Sequence, residues 1–177
     1  SNFLHKKNIK IIRHGEKQNP CCKKEMISKI IDLTNKKLNQ NTDFLLLKDC
    51  KFFIGCSTGF TMIPVLHRKP MLLVNYMPWI FYEICIYTPN SLIMPKLIYD
   101  EKRKRYLKFK EIANIKFDIH SKICPYKSKG YKVIKNTPKE ILDAGKQIYN
   151  SVEGKYKQDN RAKYLQEKLW ESLKGIK

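Results

Sequence analysis

The chain has 177 residues, 42% of them hydrophobic and 11% aromatic, which suits one α/β domain with a sizeable core and excludes an intrinsically disordered chain. Lys and Arg number 36 against 16 Asp and Glu, a formal net charge of +20. Such a surplus attracts phosphorylated small molecules or an anionic membrane surface, although evenly scattered Lys also follows from an Asn- and Ile-rich alphabet. No RNP-type aromatic motif, zinc-finger spacing or Gly-rich RNA-binding loop accompanies the charge, which argues against a specific nucleic-acid reader.

Taken in chain order, Ile9 to Arg13 is a short β-branched run ending before Gly15, a strand feeding a turn. Ile30 to Leu33 suits a second strand, although Met26 to Leu33 also tolerates a helix. Thr42 is placed to cap a helix from Asp43 to Asp49. Lys51 to Gly55 predicts a buried strand, followed by a small polar turn and a helix through His67. Pro70 to Asn75 is the next buried strand. The apolar window from Pro78 to Pro95 is broken by Glu83, Pro89 and Asn90 and is too short to span a bilayer, so membrane involvement is limited to peripheral contact.

Tyr131 to Lys135 predicts another strand. Thr137, Pro138 and Glu140 then make the strongest helix start in the chain, with a cap, a first-turn proline and a capping box. A last helix from about Gln158 to Leu173 places Ala162, Leu165, Leu169 and Leu173 on one stripe. Strands alternating with helices predict an α/β fold, a Rossmann-like doubly wound parallel sheet spanning residues 1–177. Of the six cysteines, Cys21, Cys22, Cys50, Cys56, Cys85 and Cys124, none forms a Cys-x-x-Cys pair. With no secretory signal they read as reduced thiols of a cytoplasmic protein, with Cys50 and Cys56 in the core.

In a doubly wound sheet, ligands bind beyond the carboxyl ends of the strands, which directs attention to two segments. The first is Gly55-Cys56-Ser57-Thr58-Gly59. Its glycines permit positive φ and close approach, Ser57 and Thr58 bring hydroxyls, and the amides face the next helix start, an arrangement suited to phosphate. A plain helix-capping turn has the same residues. A helix starting near Thr61 leaves Pro64 in the first turn, where it is tolerated.

The run from Asp43 through Phe53-Ile54-Gly55, Ser57-Thr58-Gly59, Pro64 and Lys69-Pro70 to Asn75 resembles a family of glycosyltransferases associated with bacterial surface polysaccharide genes. Pro95-Lys96, Lys104 to Ile112 and the early Ile11-Ile12-Arg13-x-Gly15 extend the resemblance over roughly residues 5 to 152. It implies one half of a GT-B fold, the C-terminal half that holds a nucleotide-diphosphate sugar as substrate. It also implies a glycan or lipid-linked acceptor held by an N-terminal half not present in this sequence, with residues 157–177 as a helix packing on that half. Cys56 stands where that family more often has Ser. The residues implied for the donor phosphates are Arg13, Gly15, Ser57, Thr58, Gly59, Asn75 and Lys96. The expected site has Arg13 beside the Ser57 turn and needs no cofactor or metal, since no Asp-x-Asp motif is present. No residue is assigned as catalytic base.

The second segment, Arg13-His14-Gly15-Glu16, also resembles the opening of histidine phosphatases, which would make His14 a phosphoryl-accepting nucleophile. That reading lacks a second His beside Gly, since His67 and His120 stand in other contexts. A noncatalytic nucleotide- or sugar-binding module is a further alternative. The run Asp100 to Arg105 reads as an exposed charged loop or as a contact for phosphate or anionic lipid.

Overall fold

A computed structural model describes residues 2–15, 30–34, 36, 39–77, 88–115, 126 and 129–174. Cys21, Cys22, Cys85, Cys124, His120, Glu16 and most of the apolar window after Pro78 lie outside them. The chain separates into two compact units, Ser1–Leu46 and Leu47–Lys177.

The first unit holds helix α1 (Asn2–Lys6) and the strands β1 (Ile11–Arg13) and β2 (Ile30–Asp32), which pair in parallel with Ile11 opposite Ile30 and Arg13 opposite Asp32. β1 is two residues shorter than its β-branched run predicts. Asn8 enters the left-handed region at φ 55, and the Ile9 amide bonds the Leu4 carbonyl at 3.0 Å. Ile9 therefore closes α1 instead of opening the strand.

Helix α2 (Gln40–Asp49) begins three residues earlier than predicted. Asn39, not Thr42, caps it: the Asn39 Oδ1 accepts from the Thr42 amide at 2.8 Å and from the Thr42 hydroxyl at 3.0 Å.

The second unit contains two three-stranded sheets. Strands β3 (Phe53–Gly55), β4 (Met71–Tyr76) and β5 (Leu92–Pro95) form a parallel sheet with β4 in the centre. Met71, Leu72 and Leu73 are all fully buried, as a central parallel strand covered on both faces requires. Phe53, Val65 and Ile93 pack around Met71, Leu73 and Tyr76. Between β3 and β4 lie a 3₁₀ turn (Gly59–Thr61) and the short helix α3 (Met62–Leu66), with Pro64 buried in the first turn of α3.

The other sheet is antiparallel, which the sequence reading did not anticipate. β6 (Leu97–Asp100) lies between β7 (Arg105–Tyr106) and β8 (Tyr131–Ile134). Its inner face carries Ile98 into a core with Leu107, Ile112, Ile115 and Tyr126, partly supplied by helix α4 (Phe109–Ala113). Among the described residues the architecture is thus mixed α/β, with small parallel sheets and one antiparallel sheet.

Helix α5 (Pro138–Val152) starts as its sequence predicts. Thr137 accepts from the Glu140 amide at 3.3 Å, while the Glu140 carboxylate takes the Thr137 amide at 2.6 Å. Its buried Ile148 and Tyr149 belong to the face packed on the sheet, and α5 meets β4. Lys51 pairs with Glu153, tying the approach to β3 to the end of α5. Helix α6 (Asn160–Leu173) is capped by Asp159, whose carboxylate accepts the Ala162 amide at 2.7 Å. Leu165, on the stripe its spacing predicts, is exposed. No helix among the described residues is long and apolar enough to cross a membrane.

Candidate functional site

The parallel sheet of the second unit gathers Ser57, Thr58, Gly59, Asn75 and Lys96 along one edge. Gly55 lies level with Leu73, and Tyr76 lies level with Pro95. The turn after Gly55 therefore leaves β3 where β4 runs on toward Asn75 and Tyr76. Lys96 directly follows β5, and its amide bonds the Tyr76 carbonyl at 3.2 Å. All five residues sit at the carboxyl ends of parallel strands, where ligands bind in open α/β sheets.

The turn is held by the residue at the N-cap of α3, whose bracing role spacing did not single out. Thr61, buried at 2% exposure, donates its hydroxyl to the Cys56 carbonyl at 3.0 Å and accepts the Thr58 amide at 3.3 Å. The polar Thr61 in an otherwise apolar run (Phe60, Met62, Ile63) was the available signal. Ser57, Thr58 and Gly59 are all exposed, and among the described residues the Ser57 and Gly59 amides make no hydrogen bond. The Ser57 hydroxyl and the Ser57 and Gly59 amides thus lie on an exposed turn, while the Thr58 side chain enters a capping box with Thr61. α3 has only five residues, so its dipole adds little, and the turn's own donors carry any affinity for an anion.

One expectation about the glycines is corrected. Neither Gly55 nor Gly59 has positive φ. At Gly55 a Cβ would meet the tip of the Phe53 ring at 2.5 Å, so any side chain there has to displace that ring. At Gly59 an added Cβ would meet nothing within 4 Å, so its absence leaves the backbone approachable from solvent. Cys56, expected in the core, is exposed, and Cys50 is only half-buried.

Asn75 is engaged in structure. It takes the left-handed conformation, φ 51, at the irregularity that shifts the β4–β5 register. Its amide donates to Asn136 Oδ1 at 2.6 Å, its own Oδ1 accepts the Asn136 amide at 2.8 Å, and Asn136 Nδ2 donates to the Pro95 carbonyl at 2.9 Å. These bonds make Asn75 part of a clamp that fixes the rim. Lys96 is half-buried at the same rim.

Arg13 and Gly15 belong to the first unit. Arg13 donates to Asp32 at 2.8 Å and to the Thr34 hydroxyl at 3.4 Å. The Asp32 carboxylate also accepts the Thr34 hydroxyl at 2.7 Å and amide at 3.0 Å, and these bonds, with the Arg13 charge, hold its pKa below the ordinary value. The guanidinium is therefore already charge-paired. Gly15 has φ 113, a conformation that side chains rarely adopt. His14 Nε2 lies 2.8 Å from Asp43 Oδ1 in the first turn of α2.

Glu111 serves structure as well. Arg105 grips it through two bonds of 2.8 and 2.6 Å, and it accepts the Lys108 amide at 2.8 Å. The Arg105 bonds, then the Lys108 amide, lower its pKa to about 2. Among the described residues no group of three His, Cys, Asp or Glu side chains is placed to hold a metal ion.

No family model, curated protein or solved structure matches the chain.

Proposed function

We propose that this chain is the donor-binding half of a GT-B-like glycosyltransferase of surface polysaccharide or glycoconjugate biosynthesis, working in the cytoplasm. In this reading the β3–β4–β5 sheet is the surviving Rossmann-like element. The diphosphate of a nucleotide sugar lies along its carboxyl edge, on the Ser57-Thr58-Gly59 turn, with Lys96 opposite. The observation that carries the reading is the Thr61-braced turn, which leaves exposed polar groups at the carboxyl end of β3, with Lys96 at the carboxyl end of β5.

The chemistry follows from charge. A departing nucleoside diphosphate gains negative charge as the glycosidic bond breaks. Prearranged N–H and O–H donors and an ammonium stabilise that charge without reorganisation. The acceptor and its base belong to a second half, and closure of two halves completes the site. Asn75 and Asn136 shape the rim and do not touch the donor. Arg13 is engaged by Asp32 and Gly15 serves its turn.

Calorimetric titration with a panel of nucleoside diphosphates and their sugars tests the reading. Binding of at least one nucleotide, weakened by changes at Ser57, Thr58 or Lys96, is the expected result. Absence of binding by every nucleotide at millimolar concentration overturns it.

A further inference from the structure

The antiparallel sheet offers a second surface that the donor site does not use. Ile98 and Asp100 point from β6 into the interior, and the alternate residues Leu97 and Tyr99 face outward. Tyr106 pairs with Tyr99 across the β6–β7 ladder, its ring edge-on at 5.3 Å, and Lys132 flanks Tyr99 from β8. Leu97 is 41% and Tyr106 52% exposed, and Lys132 is exposed beside them.

The hairpin tip adds three consecutive cations, Lys102, Arg103 and Lys104, all exposed. The tip is a fixed turn. The buried Asp100 accepts the Lys102 and Arg103 amides at 3.0 Å each, and Lys104 takes the left-handed conformation at φ 53. Arg103 approaches Asp100 and Glu111 only at 3.9 Å and remains 66% exposed. No acidic side chain among the described residues pairs with Lys102, Lys104 or Lys132.

From this layout we propose that the outer face of the β7–β6–β8 sheet docks on an anionic lipid bilayer. Tyr106 and Leu97 enter the interface, and the Lys102-Arg103-Lys104 tip meets the lipid phosphates. Charge complementarity selects the occupant, since the face carries unpaired cations on a chain of net charge +20. The arrangement favours a bilayer over a nucleic-acid strand. A strand needs cations and rings alternating along a track, whereas here the cations cluster at one end of an aliphatic and aromatic face. The proposal does not depend on the glycosyltransferase reading.

The test is partition of the full chain onto vesicles of phosphatidylcholine with and without phosphatidylglycerol. Wild type binds only the vesicles containing phosphatidylglycerol. Each cation near an anionic surface contributes roughly fivefold, so Lys102→Glu/Arg103→Glu/Lys104→Glu lowers partition by at least about a hundredfold. Lys6→Glu/Lys7→Glu/Lys10→Glu makes the same change in net charge at exposed positions of the first unit and has a much smaller effect. If the tip variant does not fold, Lys102→Gln/Lys104→Asn replaces it, Asn tolerating the left-handed position, with a loss of about 25-fold expected. Tyr106→Ala weakens binding further. Equal loss in the tip and control variants, or equal binding to both vesicle types, overturns the proposal. So does binding of a single-stranded oligonucleotide through the same cations without binding to vesicles.

Discussion

Asn75 and Asn136, 61 positions apart in sequence, each hold the other's backbone amide with a side-chain oxygen, at 2.6 and 2.8 Å. The exchange joins the bulged end of β4 to the residue that leads into the Thr137 cap of α5. The Pro95 carbonyl, held by Asn136 Nδ2, adds the end of β5. One asparagine pair thereby fixes where three elements end and gives the candidate site its rim.

Loss of that pair has a definite energetic signature. Asn75→Ala removes one acceptor and places a Cβ-bearing residue without local side-chain hydrogen bonding at φ 51. The expected cost is about 2–3 kcal/mol, combining a net hydrogen bond with the left-handed penalty. Asn75→Gly removes the acceptor but relieves the conformation, so it costs about 1 kcal/mol less. Urea denaturation of both variants checks the order. A smaller loss for Ala than for Gly would show that the left-handed backbone is not retained.

Much of the fold was readable where local chemistry decides structure. Thr137, Pro138 and Glu140 named the start of α5 because a cap, a ring-fixed φ and a reciprocal carboxylate act within four residues. Met71 to Leu73 announced a central parallel strand because burial on both faces demands an unbroken apolar run. The antiparallel sheet was hidden because β7 has only two residues and no periodicity to read. At the site, the Ser57 turn was legible from its small polar residues. The Asn75–Asn136 clamp was not, since nothing local marks a partner 61 residues away. Leu165 is exposed on its stripe for a related reason: helical spacing specifies a stripe, not whether a partner covers it.

The two glycines that flank the turn should respond oppositely to alanine. At Gly55 the new Cβ would sit 2.5 Å from the Phe53 ring, which packs against Met71, Leu73 and Tyr76. Rearranging that ring costs about 1–3 kcal/mol, typical of overpacking. Gly59→Ala enters open space at ordinary φ and changes stability by no more than about 1 kcal/mol in either direction. Thermal denaturation of the two variants settles the contrast, and equal losses would contradict the packing assigned to Gly55.

Glu111 supplies a pH test. Its pKa is lowered from 4.5 to about 2, so the folded state binds this proton less readily than the unfolded state. Its stabilising contribution is complete above the ordinary carboxylate pKa. That contribution falls away as pH drops from about 4.5 through about 2. Carboxyl-carbon NMR should place the Glu111 midpoint well below those of exposed glutamates. Arg105→Gln should move it upward, and Arg105→Lys should restore only part of the shift, because an ammonium cannot make the two-pronged contact. A midpoint unchanged by Arg105→Gln would remove Arg105 as the cause.

The proposed donor site makes the sharpest demand, because it separates binding from stability. Gly59→Val adds bulk to a turn that has room for it, so the folded chain survives while a diphosphate loses access to the Ser57 and Gly59 amides. Lys96→Ala removes a half-buried ammonium from the same rim and should weaken nucleoside-diphosphate binding by about 1.5–3 kcal/mol, the range for hydrogen bonds to charged groups. His14→Ala, in the other unit, should leave affinity within a few-fold. Calorimetry on the wild type and these three variants, each checked for folding by circular dichroism, makes the comparison. Equal affinity of Gly59→Val and wild type would move the ligand away from the turn. A phosphohistidine trapped at His14 by mass spectrometry, with hydrolysis of a phosphate ester, would replace glycosyl transfer with phosphoryl transfer. Loss of binding in Gly59→Val and Lys96→Ala, with His14→Ala intact, is the pattern that a diphosphate seated on the carboxyl edge of the β3–β4–β5 sheet requires.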